Sequence, residues 1–143
     1  MADSYRLERF VEAQDAVYDT VLVELQRGWK RTHWMWFIFP QITGLGSSAT
    51  AVRYSIASLA EAQAYLAHPV LGPRLRHCTA LVSGHPELSL KHIFGYPDDL
   101  KFRSSMTLFA AAAPGEDIFL EALRRHCDGE RDPRTLAILG GQN

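Results

Sequence analysis

Between Trp29 and Gln41 the chain reads W-K-R-T-H-W-M-W-F-I-F-P-Q, a window that holds all three tryptophans of the protein. Lys30 and Arg31 stand directly before His33, Trp34 and Trp36, and Gln41 closes the stretch. Cations hold a phosphate through charge-assisted hydrogen bonds, and an indole face stacks on a flat ring. These residue types together suit a phosphorylated ligand that carries a ring. His33 is the side chain of the patch that exchanges a proton near neutral pH without a large shift, which makes it a candidate acid or base. The competing reading is structural: the tryptophans fill a core and the two cations solvate a helix end.

Two further patches carry usable chemistry. In G-L-G-S-S, residues 44–48, Gly44 and Gly46 let backbone N–H groups converge on an anion, and Ser47 and Ser48 add donors. An ordinary turn has the same composition. In D-D-L-K-F-R-S-S-M-T-L-F, residues 98–109, Asp98 is a second candidate for moving a proton, and Lys101, Ser104 and Ser105 are candidate ligand contacts. Ser104, Ser105 and Thr107 are poor helix formers crowded into one helix. Either they line a polar cavity, or their hydroxyls bond back to helix carbonyls.

Several chemistries are absent from the sequence. It holds no Walker-type phosphate loop, no H-E-x-x-H, no G-x-S-x-G and no CxxC pair. The six histidines form no i, i+4 pair, so no metal site is expected, and no cofactor is implied.

The elements that must position these patches are helical. Leu7, Phe10, Val11, Val17, Tyr18, Val21, Leu22 and Leu25 make one apolar stripe, which predicts a single long helix opened by Asp3 or Ser4 and ended by Gly28. Gln14 falls on that stripe and needs a buried partner or a pocket. Thr32 is placed to cap a short helix over residues 33–39, stopped by Pro40, with a buried strand as the competing reading. The segment A-V-R-Y-S-I after the glycine turn is ambiguous and open to an extended reading. Ser58 and Glu61 form a capping box for a helix that His68-Pro69 ends. Further helices are expected over 71–83, 88–94, 99–113 with Asp98 as cap, about 118–128, and 133–138 with Asp132 as cap and Pro133 in the first turn.

The sum is an all-α chain of six to eight helices with little or no sheet, read as a compact single domain spanning 1–143. Formal net charge is −1, which argues against a nucleic-acid partner bound by bulk electrostatics. No apolar run approaches the roughly 20 residues of a membrane span, and M-A-D-S-Y-R lacks the pattern of a secretory leader. The expectation is a cytoplasmic protein without a membrane partner. Cys78 and Cys127 sit on apolar helical positions and read as small buried hydrophobes.

These motifs carry a resemblance. L-x-R-F-V-x-A-Q at Leu7–Gln14, K-R-T-H-W-M-W-F-I-F-P-Q at Lys30–Gln41, G-L-G-x-S at Gly44–Ser48, A-x-x-Y-L-x-H-P-V-L-G-x-R-L at Ala62–Leu75, I-F-G at Ile93–Gly95, D-x-x-K-x-x-S-S-M-T-L-F at Asp98–Phe109 and D-x-x-T-L-x-I-L at Asp132–Leu139 match the pattern of a bacterial family, the domain-of-unknown-function family 1810. Phe102 stands where leucine is common in that pattern, and Trp29 where a basic residue is common. The resemblance implies an all-helical fold and no settled activity. A more distant resemblance is to YbiA-like domains, linked to NAD and ADP-ribose metabolism, which also pair an early polar-aromatic helix with a later lysine-bearing one. It implies an ADP-ribose-type nucleotide as ligand.

Two functional expectations follow. In the first, a small phosphorylated ligand binds between the tryptophan-rich segment and the serine-rich helix, with His33 or Asp98 moving a proton in N-glycosidic hydrolysis. In the second, the aromatic segment is an exposed hot-spot patch of a protein-interaction module, which would also serve a homo-oligomer.

Overall fold

The structure, a computed structural model, describes residues 3–141. Among the described residues the chain forms ten helices: α1 (Glu8–Asp15), α2 (Tyr18–Arg27), α3 (Met35–Ile38), α4 (Ala49–Arg53), α5 (Leu59–Ala67), α6 (Leu71–Ser83), α7 (Leu90–Phe94), α8 (Asp98–Ala112), α9 (Asp117–Cys127) and α10 (Pro133–Gly140). Among those residues β structure is confined to one parallel bridge between Ile42 and Ile56. The all-α expectation therefore holds, with two more helices than the sequence pattern predicts.

One extra helix comes from the first stripe, which breaks between Asp15 and Tyr18. Val17 donates its N–H to Gln14 O at 3.0 Å and adopts φ −130°, ψ −3°. No glycine or proline marks the break, so nothing local announces it. The other extra helix is α4, in the segment open to an extended reading. Ser48 caps it, its Oγ accepting from Ala51 N at 3.1 Å.

Several helix ends follow local chemistry. Asp3 accepts from Leu7 N at 2.7 Å and Glu8 N at 2.9 Å, holding the start of α1. Gly28 ends α2 in the left-handed region at φ +71°. Ser58 accepts from Glu61 N at 3.1 Å, and Asp132 Oδ2 accepts from Thr135 N at 3.1 Å. Two expected caps are used otherwise. Trp34, not Thr32, precedes α3. Asp98 is the first residue of α8 rather than its cap, Pro97 taking that place, and its carboxylate is spent on two lysines.

The buried apolar side chains form one cluster. One aromatic group joins Trp34, Phe39, Phe94 and Phe102, with Phe39 to Phe102 at 5.1 Å between ring centres. A second joins Phe10, Tyr65, Phe109 and Phe119. Each large side chain so buried contributes on the order of 1.5–3 kcal/mol. Gln14 finds its partners here: its Nε2 donates to Phe37 O at 2.7 Å and Tyr65 Oη at 3.0 Å.

The helix α8 runs through the middle of the fold. Residues 104–110 are all buried, and α5, α7, α9 and α10 pack on it. Serine and threonine at such positions must find partners, because a buried unpaired hydroxyl costs on the order of 1–3 kcal/mol.

Candidate functional site

The tryptophan-rich segment is held by a residue that pattern reading passes over, Glu24 on α2. Its Oε1 accepts from Arg31 N at 2.8 Å, Thr32 N at 3.1 Å and Trp34 Nε1 at 2.9 Å. Its Oε2 accepts from Thr32 Oγ1 at 2.8 Å. Burial pushes the carboxyl up, but these donors outweigh it and hold Glu24 below the usual glutamate range. A loop with no regular hydrogen bonding of its own is thus wrapped around one carboxylate. Glutamate on a helix gives no warning of this role.

Behind that loop lies a chain of charge. Asp98 accepts from Lys30 Nζ at 2.9 Å through one oxygen and pairs with Lys101 Nζ at 3.2 Å through the other. The Lys30 side chain is only 8 % exposed. Lys30 lies 5.1 Å from the Trp34 ring, and Lys101 lies 5.3 Å from the Trp36 ring. Asp98 joins the two lysines as one unit, with Lys30 inside and Lys101 further out.

Lys101 opens onto a cavity of about 470 Å³. Trp36 and Gln41 line one side, and residues 45–48 with Ala51 line a second. Pro97, Leu100, Lys101, Arg103 and Ser104, from the start of α8, form the third, and Asp132 with Arg134 closes the site from the start of α10. Segments nearly a hundred positions apart in the chain thus line one cavity. Gly46 is needed where it stands, because a Cβ there would lie 2.7 Å from Ala51 Cβ.

Asp132 is nearly buried, and its two oxygens differ. Oδ2 accepts from Thr135 N at 3.1 Å and Thr135 Oγ1 at 2.5 Å, and it lies 3.1 Å from Ser104 Oγ. The Ser104 hydroxyl is shared with Leu100 O, also 3.1 Å away. Among the described residues Oδ1 has only the Arg103 guanidinium, at 4.0 Å. The backbone N–H of Asp132 donates to Thr107 Oγ1 at 2.9 Å, and Thr107 in turn donates to Arg103 O at 2.8 Å. Arg103 is loosely held, with Glu130 also at 4.0 Å and its Nε–H buried without a hydrogen-bond partner among the described residues.

Both readings of the helix hydroxyls apply at Ser104, which lines the cavity and bonds back to a carbonyl, and back-bonding alone applies at Thr107. Both hydroxyls also support Asp132.

Of the residues singled out from sequence, Trp36, Gln41, Gly46, Ser47, Ser48, Lys101 and Ser104 line this cavity together. Asp98 stands behind it through Lys101. Other candidates lie elsewhere. Trp34 is fully buried in the aromatic core. Ser105 is fully buried, and its hydroxyl has no partner among the described residues. Lys30 faces Asp98 from inside, and Arg31 stacks over the exposed Trp29 at 4.7 Å. His33 is exposed and is not a cavity residue, and neither is Gly44, which turns the chain at φ +110°.

Three charged residues of this cavity were not singled out from sequence as ligand contacts: Arg103, Asp132 and Arg134. Asp132 was legible only as a helix cap. The aromatic segment forms no continuous exposed patch, since Trp34, Met35, Ile38 and Phe39 are buried and Trp29 alone is more than half exposed.

Burial pushes the Cys78 thiol up to about 12 and the Cys127 thiol up to about 11, so neither offers a thiolate at neutral pH. Among the described residues no three His, Cys, Asp or Glu side chains gather as a metal site, and no helix is long and apolar enough to cross a membrane.

The family model described as "Protein of unknown function (DUF1810)" matches residues 4–139. The crystal structure of the conserved hypothetical protein Rv1873 from Mycobacterium tuberculosis is similar throughout. It is 55% identical, with 96% of this chain and 99% of that chain covered and a TM-score of 0.95. No curated protein matches the sequence.

Proposed function

The chain belongs to the DUF1810 family of proteins of unknown function, and from that premise we propose that it binds a small phosphorylated, nucleotide-like molecule in the cavity between Trp36 and the start of α8. The observation that carries this reading is the meeting of Lys101, Arg103 and Arg134 with an indole and small polar residues in one cleft. Its volume falls within the roughly 300–1,000 Å³ of small-molecule sites.

The cations divide the work. Lys101 is steadied by Asp98 and lies against Trp36, so phosphate held there also meets a stacking surface. Arg103, with unpaired donor capacity, can turn its fork toward a second phosphate oxygen. Ser47 and Gln41 add neutral donors to the lining. Trp36 offers its ring to a base. An ADP-ribose-type compound carries all the groups this arrangement addresses. In the hydrolytic form of the reading, Asp132, a cavity residue where His33 is exposed, takes a proton from water as its oxygen bonds to the glycosidic carbon and the glycosidic bond breaks, and returns that proton to the departing group.

Thermal-shift and fluorescence titrations with AMP, ADP, ADP-ribose and inorganic phosphate test the reading. A nucleotide should raise the melting temperature and change tryptophan emission, and Lys101→Ala and Arg103→Ala should abolish both responses. No response to any phosphorylated compound, or responses unchanged in both variants, would sink it. Chromatography of the same mixtures shows whether a glycosidic bond is cut.

A further inference from the structure

We propose that Asp132 is a specificity residue that reads a sugar hydroxyl, so the ligand of this cavity is a phosphorylated ribosyl compound rather than a bare phosphate or diphosphate. The inference deepens the reading above and rests on it.

A cavity built only for phosphate has no use for a carboxylate. An anion among Lys101, Arg103 and Arg134 repels the ligand those cations attract. Asp132 is nevertheless present, and it is held rigidly. Thr135 donates twice to Oδ2, Ser104 stands 3.1 Å from it, and Thr107 accepts from the Asp132 backbone. The role of helix cap needs only one oxygen, and Oδ2 fills it. Oδ1 is left with an acceptor's lone pairs and Arg103 no nearer than 4.0 Å. The Asp132 side chain keeps 12% exposure, so solvent serves this oxygen when no ligand is bound, and a ligand that displaces the solvent must bring a donor of its own.

The surroundings select the donor. An ammonium group would add a fourth positive charge beside Lys101, Arg103 and Arg134. A hydroxyl donates a proton without adding charge, and its own oxygen can accept from Arg103 in return. A ligand that carries phosphate and a hydroxyl a few atoms apart is a sugar phosphate or a nucleotide. Asp132 then acts as the buried polar group that penalises any analogue lacking the hydroxyl, because such an analogue desolvates the carboxylate and leaves it unpaired.

The test uses the full chain with ADP, 2′,3′-dideoxy-ADP and inorganic diphosphate, followed by calorimetric titration. Wild type should bind ADP about tenfold or more tightly than the dideoxy compound, the size expected for a hydrogen bond to a charged group. In Asp132→Asn the donors at Thr135 and Ser104 capture the amide oxygen and turn the amide NH2 to the cavity. The charged acceptor becomes a neutral donor, and the ADP preference should shrink to about threefold or less. Asp132→Ser keeps a capping hydroxyl and removes the reaching oxygen, and the preference should vanish. A merely structural role would weaken every ligand alike and leave the ratio unchanged.

The outcomes separate the two claims. Equal binding of ADP and dideoxy-ADP by wild type, or an unaltered ratio in both variants, overturns the hydroxyl assignment and leaves phosphate binding standing. No binding of any of the three overturns both. The wild-type comparison remains decisive if the variants fail to fold.

Discussion

Glu24 and Asp132 are both nearly buried carboxylates that accept from backbone N–H and hydroxyl donors, yet one is complete and the other is not. Glu24 takes four hydrogen bonds over its two oxygens and does not line the cavity. Among the described residues Asp132 receives its hydrogen-bond donors on Oδ2, keeps Oδ1 with Arg103 no nearer than 4.0 Å, and lines the cleft. The first builds a loop and the second leaves capacity for a visitor. The tryptophan-rich stretch belongs mainly to the Glu24 half of this contrast. Only Trp36 and Gln41 of its residues reach the cavity.

The largest effect is expected at Glu24. Glu24→Ala strands two backbone N–H groups, an indole N–H and a hydroxyl, and should cost about 3–5 kcal/mol in denaturant unfolding. A loss below about 1 kcal/mol would show that the loop holds itself. The carboxyl is held below the usual glutamate range in the folded chain. Its stabilisation is therefore fully present above the value of the unfolded chain and is lost as pH falls through the lowered folded value. Glu24→Gln should flatten that acid limb, and a limb identical to wild type would break the assignment.

Asp98 comes next, as a carboxylate shared between the two halves. Asp98→Ala leaves Lys30, 8 % exposed, without its partner and should cost about 2–4 kcal/mol. Lys101→Ala, at the more open end of the same chain, should cost less than about 1 kcal/mol while removing ligand responses. Equal stability losses at the two positions would erase the distinction between a buried anchor and a ligand contact.

A smaller effect tests the shape of the cleft. Gly46→Ala puts a methyl 2.7 Å from Ala51 Cβ, which must push α4 aside and should cost about 1–2 kcal/mol. Ala51→Gly should recover part of that loss in a double-mutant cycle. Additive losses would mean the two residues do not meet.

Much of the fold is legible in the chain, and the reason is locality. Gly28 ends a helix, Ser58 and Asp132 open helices, and Pro69 follows an end, because each acts on backbone groups within four residues of itself. The stripe from Leu7 to Leu25 shows helix but hides the break at Val17, where no special residue stands. The segment after Gly46 hides α4 because a five-residue helix is too short to show a period.

The sites divide in the same way. Lys101, Ser104, Gln41 and Trp36 could be singled out by type, since cations, hydroxyls and indoles concentrate in two windows. Glu24 could not, because its donors come from a loop whose path is set by packing. Trp34 and Trp36 are two positions apart and identical in chemistry, yet Trp34, just before α3, enters the core, and Trp36, in its first turn, lines the cleft.

By itself the sequence determined the helical class, most helix ends and the kinds of side chain available for ligand chemistry. Each of these depends on propensity, capping and apolar period over a few residues. Only the tertiary structure decided that residues near 36–48, 97–104 and 132–134 face one cavity. It also decided which carboxylate is saturated and which keeps a free oxygen. Hydrogen-bond completeness is a property of the packed whole: Thr135 caps Asp132 locally, but the loop that completes Glu24 and the Ser104 hydroxyl beside Asp132 are brought in by the path of the chain around the core.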